Sequence, residues 1–133
     1  MTPMEIELSP DRILKKPSLH DGCLYGIVAG EGKEVRLMVK DHQKKPYVIS
    51  LGNVGSMNVM HFWGGDIILD VSLIPIKEVP LHTLQGLFHD RITDDRKISD
   101  AISREGRKYL FVLECSYGAE VFATCDQMQV AAE

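Results

Sequence analysis

The stretch His61-Phe62-Trp63-Gly64-Gly65-Asp66-Ile67-Ile68-Leu69-Asp70-Val71-Ser72-Leu73-Ile74-Pro75 constrains the fold more than any other part of this chain. From Asp66 onward, Ile67, Leu69, Val71 and Leu73 fall on one face, and Asp66, Asp70 and Ser72 on the other, with Ile68 and Ile74 interrupting the polar side. A period of two with β-branched residues predicts a strand with one buried face. Gly64-Gly65 supplies the positive φ of a tight turn. Ahead of it, Met57, Val59, His61 and Trp63 alternate with Ser56, Asn58, Met60 and Phe62. The expectation is a central hairpin of 56–63 with 66–75. Proline cannot donate to a ladder, so Pro75 ends the second arm or places it at an edge.

The flanking sequence extends this β pattern. Residues 23–29 are apolar throughout between Gly22 and Gly30, which predicts a well-buried strand. Val35, Leu37 and Val39 alternate with Arg36, Met38 and Lys40, a hairpin partner with one solvated face. Residues 47–51 read as a further strand, turning through Gly52-Asn53-Val54-Gly55. Short connections imply antiparallel neighbours, because parallel ones need long crossovers. Ser9-Pro10-Asp11 carries the cap and first-turn proline of a short helix.

After Pro75 the period changes. Leu81, Leu84, Leu87 and Phe88 predict a helix near 81–88, the charged run 90–97 an exposed loop, and Ile98, Ala101 and Ile102 a second short helix. Residues 108–115 and 119–130 then form a C-terminal hairpin around Ser116-Tyr117-Gly118. The sum is α+β, mainly antiparallel β: a meander forming a half-barrel or sandwich, with two short helices inserted before the C-terminal hairpin. One domain is expected over 1–133, made of a leading segment (1–19), a β-meander (20–75), a helical insertion (76–107) and the hairpin (108–131).

A chain of 133 residues with 44% hydrophobic and 26% charged residues can bury a core without disulfides or metal. Nineteen acidic against 15 basic residues leave a net charge of −4, which disfavours a nucleic-acid-binding face and makes a basic protein the easier partner. Cys23, Cys115 and Cys125 form no C-x-x-C pair and read as reduced thiols of a cytoplasmic protein. Glu5, Glu7, Asp11 and Arg12 interrupt the first fifteen residues, so no signal core is expected. No apolar run reaches the ~20 residues of a membrane-spanning helix.

The chemistry-bearing residues are scattered. His20-Asp21 and His89-Asp90 could each set two metal ligands side by side. The alternative for such a pair is a turn in which Asp accepts nearby backbone N–H groups. His61, His82 and His89 with Asp66 or Asp70 make a ligand inventory, but no H-x-H, H-x-x-x-H or H-E-x-x-H spacing organises it. Asp66 and Asp70 would stand about 13 Å apart along a strand. That exceeds the ~5–9.5 Å of a paired-carboxylate site, and they read instead as a solvated face balanced by Arg36 and Lys40. Ser116-Tyr117-Gly118 is no nucleophile elbow, and Cys115 and Cys125 fit apolar strand positions. Exposed aromatics at the tip, His61-Phe62-Trp63, would suit a partner surface, although core packing is the expected role of Trp63.

His20-Asp21-Gly22 before the first main strand, Gly64-Gly65-Asp66-Ile67-Ile68-Leu69-Asp70 and Leu113-Glu114-Cys115-Ser116-Tyr117-Gly118-Ala119-Glu120 carry a resemblance. Across residues 19–130 the chain resembles a loose group of small β-rich bacterial proteins of unknown or toxin-immunity function. The resemblance implies a non-enzymatic binding role and transfers no active-site residue. The leading expectation is therefore a cytoplasmic module that binds another protein, with no catalytic residue, metal or cofactor. Its contact candidates are His20, Asp21, His61, Trp63, Asp66, Asp70 and Tyr117. The competing expectations are a metal-dependent hydrolase built on His20, Asp21, His89 and Asp90, and a small-ligand carrier with its pocket inside a curled sheet.

Overall fold

In the computed structural model, which describes residues 2–64, 66–88, 92 and 94–133, ten strands and two α-helices account for most of the chain. A small pair, β1 (Glu7–Leu8) and β2 (Leu14–Lys16), precedes the main sheet. That sheet contains β3 (Cys23–Ala29), β4 (Val35–Lys40), β5 (Pro46–Gly52), β6 (Met57–Met60), β7 (Asp66–Pro75), β8 (Tyr109–Cys115), β9 (Glu120–Cys125) and β10 (Gln127–Ala132). Every pairing among them is antiparallel, and the spatial order is β10-β5-β4-β3-β7-β8-β9-β6.

The order explains the curl. β9 runs into β10 through Asp126 alone, and β5 reaches β6 through only four residues, yet β10 and β6 lie at opposite ends of the order. The sheet therefore curls without closing, so that both ends come to one corner, as in a half-barrel or sandwich. There Gly55 N–H donates to the Thr124 carbonyl, Thr124 N–H to Ser56, and Asp126 N–H to Gly52. The Asn53 amide donates to Asp126 and holds that carboxyl below its usual value. Such corner bonds satisfy backbone groups that the bend removes from the ladder.

Two cores result. Inside the roll, Leu24, Leu37, Val39, Ile49, Leu51, Ile68, Phe111, Leu113, Val121 and Val130 pack with their neighbours. On the outer face of β8 and β9, Leu110 and Phe122 meet Leu84 and Leu87 of α1 (Leu81–Phe88) and Ile98 and Ile102 of α2 (Asp95–Glu105). The α2 helix begins on the Asp94 carboxylate, which accepts from Arg96 N–H, and ends at Gly106 in the left-handed region. Its Glu105 accepts hydrogen bonds from both the Ser56 and Thr124 hydroxyls, fixing the helix to the corner. No helix among the described residues is long and apolar enough to cross a membrane.

Five expectations need correction. The central hairpin does not form, because β6 pairs with β9, and β7 pairs with β3 and β8. A turn-compatible dipeptide permits a hairpin but does not require one, and β6 pairs instead with β9. The one-face reading of β7 also fails, because a bulge at Leu69 shifts its phase. Asp66 and Ile68 are buried before the bulge and Val71 and Leu73 after it, leaving Ile67 and Leu69 exposed. Ser9-Pro10-Asp11 makes a β-turn between β1 and β2: Arg12 N–H bonds back to Ser9, and Arg12 itself has φ +69°. Finally, β3 is buried only at Leu24, with Tyr25, Val28 and Ala29 exposed. The α2 helix also begins at Asp95, inside the run expected as loop.

Candidate functional site

The exposed aromatics gather where β6 crosses to β7. Between these strands the chain passes the β8–β9 turn, whose Gly118 has φ +101°. A Cβ on Gly118 would lie 3.2 Å from the Asp66 carboxylate, 3.2 Å from the His61 carbonyl and 3.3 Å from Trp63 Cδ1. Close approach and left-handed backbone together require glycine here. Asp66 is 8% exposed and accepts the Trp63 N–H at 3.1 Å. This buried carboxylate holds the crossing segment against the turn.

The side chains so placed face solvent. Trp63 is 83% exposed and Tyr117 88%, with Phe62, Val59 and Ile67 exposed nearby in the chain. Core packing for Trp63 is thereby excluded, since the expected hairpin with 66–75 does not form and its segment lies over a turn. On the same hairpin, Glu114 and Glu120 stand directly opposite each other on β8 and β9 and line an open cavity with His82, Thr83 and Phe122. Like charges so paired destabilise a sheet, and neither has an ion-pair partner among the described residues. The structure thus brings His61, Trp63 and Asp66 against Gly118, with Tyr117 beside it in the same turn, and adds Ile67 to the expected set. Ile67 was hidden from sequence reasoning because nothing in Ile67-Ile68-Leu69 marks the bulge.

His20, Asp21 and Asp70 lie elsewhere, at the bulge of β7. His20 Nδ1–H donates to the Leu69 carbonyl at 2.7 Å, and its Nε2 lies 3.6 Å from the Asp21 carboxylate. The Leu69 bond, and then the Asp21 charge, hold the imidazole pKa above its ordinary 6.5. Asp21 has φ +64° and donates its N–H to Ile68, while Ile68 N–H donates to Gly22. The pair fastens a turn across a bulge. Beside it, Ile13, Leu14, Lys15, Leu19, Asp70 and Val71 help line an open cavity of about 320 Å³.

No family model, curated protein or solved structure matches this chain. Its chemistry must be read from the side chains themselves. Among the described residues no three of His, Cys, Asp and Glu converge as metal ligands. His82 lies exposed on α1, His61 is at the tip, and His89-Asp90 falls outside the described residues. Arg36 pairs with Glu34 at 2.7 Å, not with the β7 aspartates. Burial, with Asp66 close by, pushes the Cys115 thiol up to about 11, and burial pushes Cys125 up to about 12. Both thiols are therefore poor nucleophiles near neutrality.

Proposed function

We propose that this chain is a non-enzymatic protein-binding module that docks through Phe62, Trp63 and Tyr117. One observation carries the reading. Two large aromatic side chains are almost wholly exposed, yet their backbone is held by a buried carboxylate and an obligatory glycine. Aromatics presented on an ordered scaffold lose little conformational entropy on binding and dominate contact energetics. The opposed Glu114 and Glu120, on the same hairpin as Tyr117, favour a partner that brings Lys or Arg to that hairpin. That partner, on the resemblance above, is a bacterial toxin, and the module its immunity protein. A carrier role gains no support from the roll, whose interior is filled by side chains.

The experiment compares wild-type protein with the double substitution Trp63→Ala and Tyr117→Ala as bait in lysate of the native cells. Circular dichroism checks that both baits are folded. A basic protein that forms a stoichiometric complex with the wild type only is the expected result. A complex retained by the double variant, or no complex at any load, refutes the reading.

A further inference from the structure

The segment from Arg12 to Asp21 spans the edge of β7 as an arch held at both ends. At one end Leu73 N–H donates to the Arg12 carbonyl, and Ile13 forms a bridge with Ser72. At the other, His20 Nδ1–H donates to the Leu69 carbonyl and Asp21 N–H to Ile68. Between these two fastenings β2 forms its rungs with β1, and the bulge at Leu69 shifts Asp70 out of the regular phase of β7. The space left under the arch is the open cavity of about 320 Å³ beside the His20 turn.

The lining of this cavity is divided. Leu14, Leu19 and Val71 are buried and give it an apolar floor, while Lys15, Ser18, His20 and Asp70 bring polar groups to it. Lys15 and Asp70 carry opposite charges, yet they form no ion pair with each other, and neither forms one with any other described residue. His20 holds its proton chiefly through the Leu69 carbonyl and the Asp21 charge; Asp70 adds to that hold and Lys15 opposes it, so both charges reach the ring. An ammonium and a carboxylate that share a cavity without meeting leave space between them for the complementary pair of charges. A ligand with one charge gains one of these contacts and meets repulsion from the other. The volume, at the lower end for ligand pockets, suits a molecule of a few carbon atoms better than one the size of a nucleotide.

We propose that this cavity binds a small zwitterion, a free α-amino acid with an apolar side chain. The ligand carboxylate meets the Lys15 ammonium, the ligand ammonium meets the Asp70 carboxylate, and the side chain rests on Leu14, Leu19 and Val71. His20, its Nδ1 engaged by Leu69, forms one wall. Charge-assisted hydrogen bonds at both ends orient the ligand, and the need to satisfy both gives selectivity against singly charged analogues. None of these residues belongs to the Phe62, Trp63 and Tyr117 surface, and the site stands independently of it.

The test is titration of isotopically labelled protein with L-valine, followed by amide and imidazole NMR shifts. Saturable shifts at Lys15, Ser18, Leu69, Asp70, Val71 and the His20 ring are expected, with a Kd of about 1 mM for so few contacts. Isobutylamine and isovalerate, which are valine without its carboxylate and without its ammonium, bind about tenfold more weakly or worse. Lys15→Gln, at an exposed position, and Asp70→Asn, at a half-buried one, each lower valine affinity about tenfold with the rest of the spectrum unchanged. An absence of shifts around the cavity at about 50 mM valine overturns the proposal. Equal binding of either singly charged analogue does so too, as does wild-type affinity in either variant.

Discussion

The strands β3 and β8 are alike in length and apolar content and opposite in fate. Cys-Leu-Tyr-Gly-Ile-Val-Ala and Tyr-Leu-Phe-Val-Leu-Glu-Cys each span seven residues. β8 has β7 on one edge and β9 on the other along its length, with one core beneath it and the helices above. β3 has one complete partner, two rungs of a second, and an exposed outer face. Apolar composition records how many neighbours a strand could satisfy. It does not say whether the chain itself supplies them. Where it does, as for β8, the strand is buried on both faces; where it does so only in part, as for β3, apolar side chains stay exposed.

Truncation should separate the two strands most sharply. Phe111→Ala in β8, at a fully buried site, should cost about 3–5 kcal/mol, while Val28→Ala in β3 stays within about 0.5 kcal/mol. Urea unfolding of both would break the comparison if the losses were similar. Gly22→Ala tests the residue just before β3, where the chain passes close to the end of β4. Its added Cβ would lie 2.0 Å from the Lys40 carbonyl oxygen, so a loss of about 3 kcal/mol is expected by the same measurement.

Asp66→Asn probes the buried carboxylate under the tip. It keeps an acceptor for Trp63 N–H and should cost under about 1.5 kcal/mol. It should also lower the Cys115 thiol from about 11, because the nearby negative charge disfavours thiolate. Thiolate absorbance against pH would read that shift, and an unchanged value would remove Asp66 from the account.

The smallest effect belongs to His20. Its folded pKa is raised, so the stabilisation it gives the turn is complete below the unfolded value near 6.5 and fades as pH rises through the folded one. Proton NMR of the imidazole should show a midpoint above 6.5, moving down in Asp21→Asn but staying raised, since the Leu69 bond is the larger cause. A midpoint at or below 6.5 in the wild type would detach this turn from the bulge.

Much of the architecture was readable from local pattern. Val35, Leu37 and Val39 face the core as their alternation requires, α1 occupies the expected span, and the C-terminal strands flank Ser116-Tyr117-Gly118. These features rest on neighbours close in sequence, where periodicity and turn chemistry act directly. The tip was legible as a set of aromatic residues but not as an exposed one. Trp63 looked like core because 56–63 looked like half of a hairpin, and only the competition from β9 decides otherwise.

The sequence by itself determined an antiparallel β-rich chain with two late helices, because side-chain period and turn propensity are properties of short segments. Strand order, the bulge at Leu69, the exposed tip and the short pairing of β3 with β7 came only with tertiary structure. Each depends on which of several acceptable edges pair, and that choice is made by packing among residues tens of positions apart.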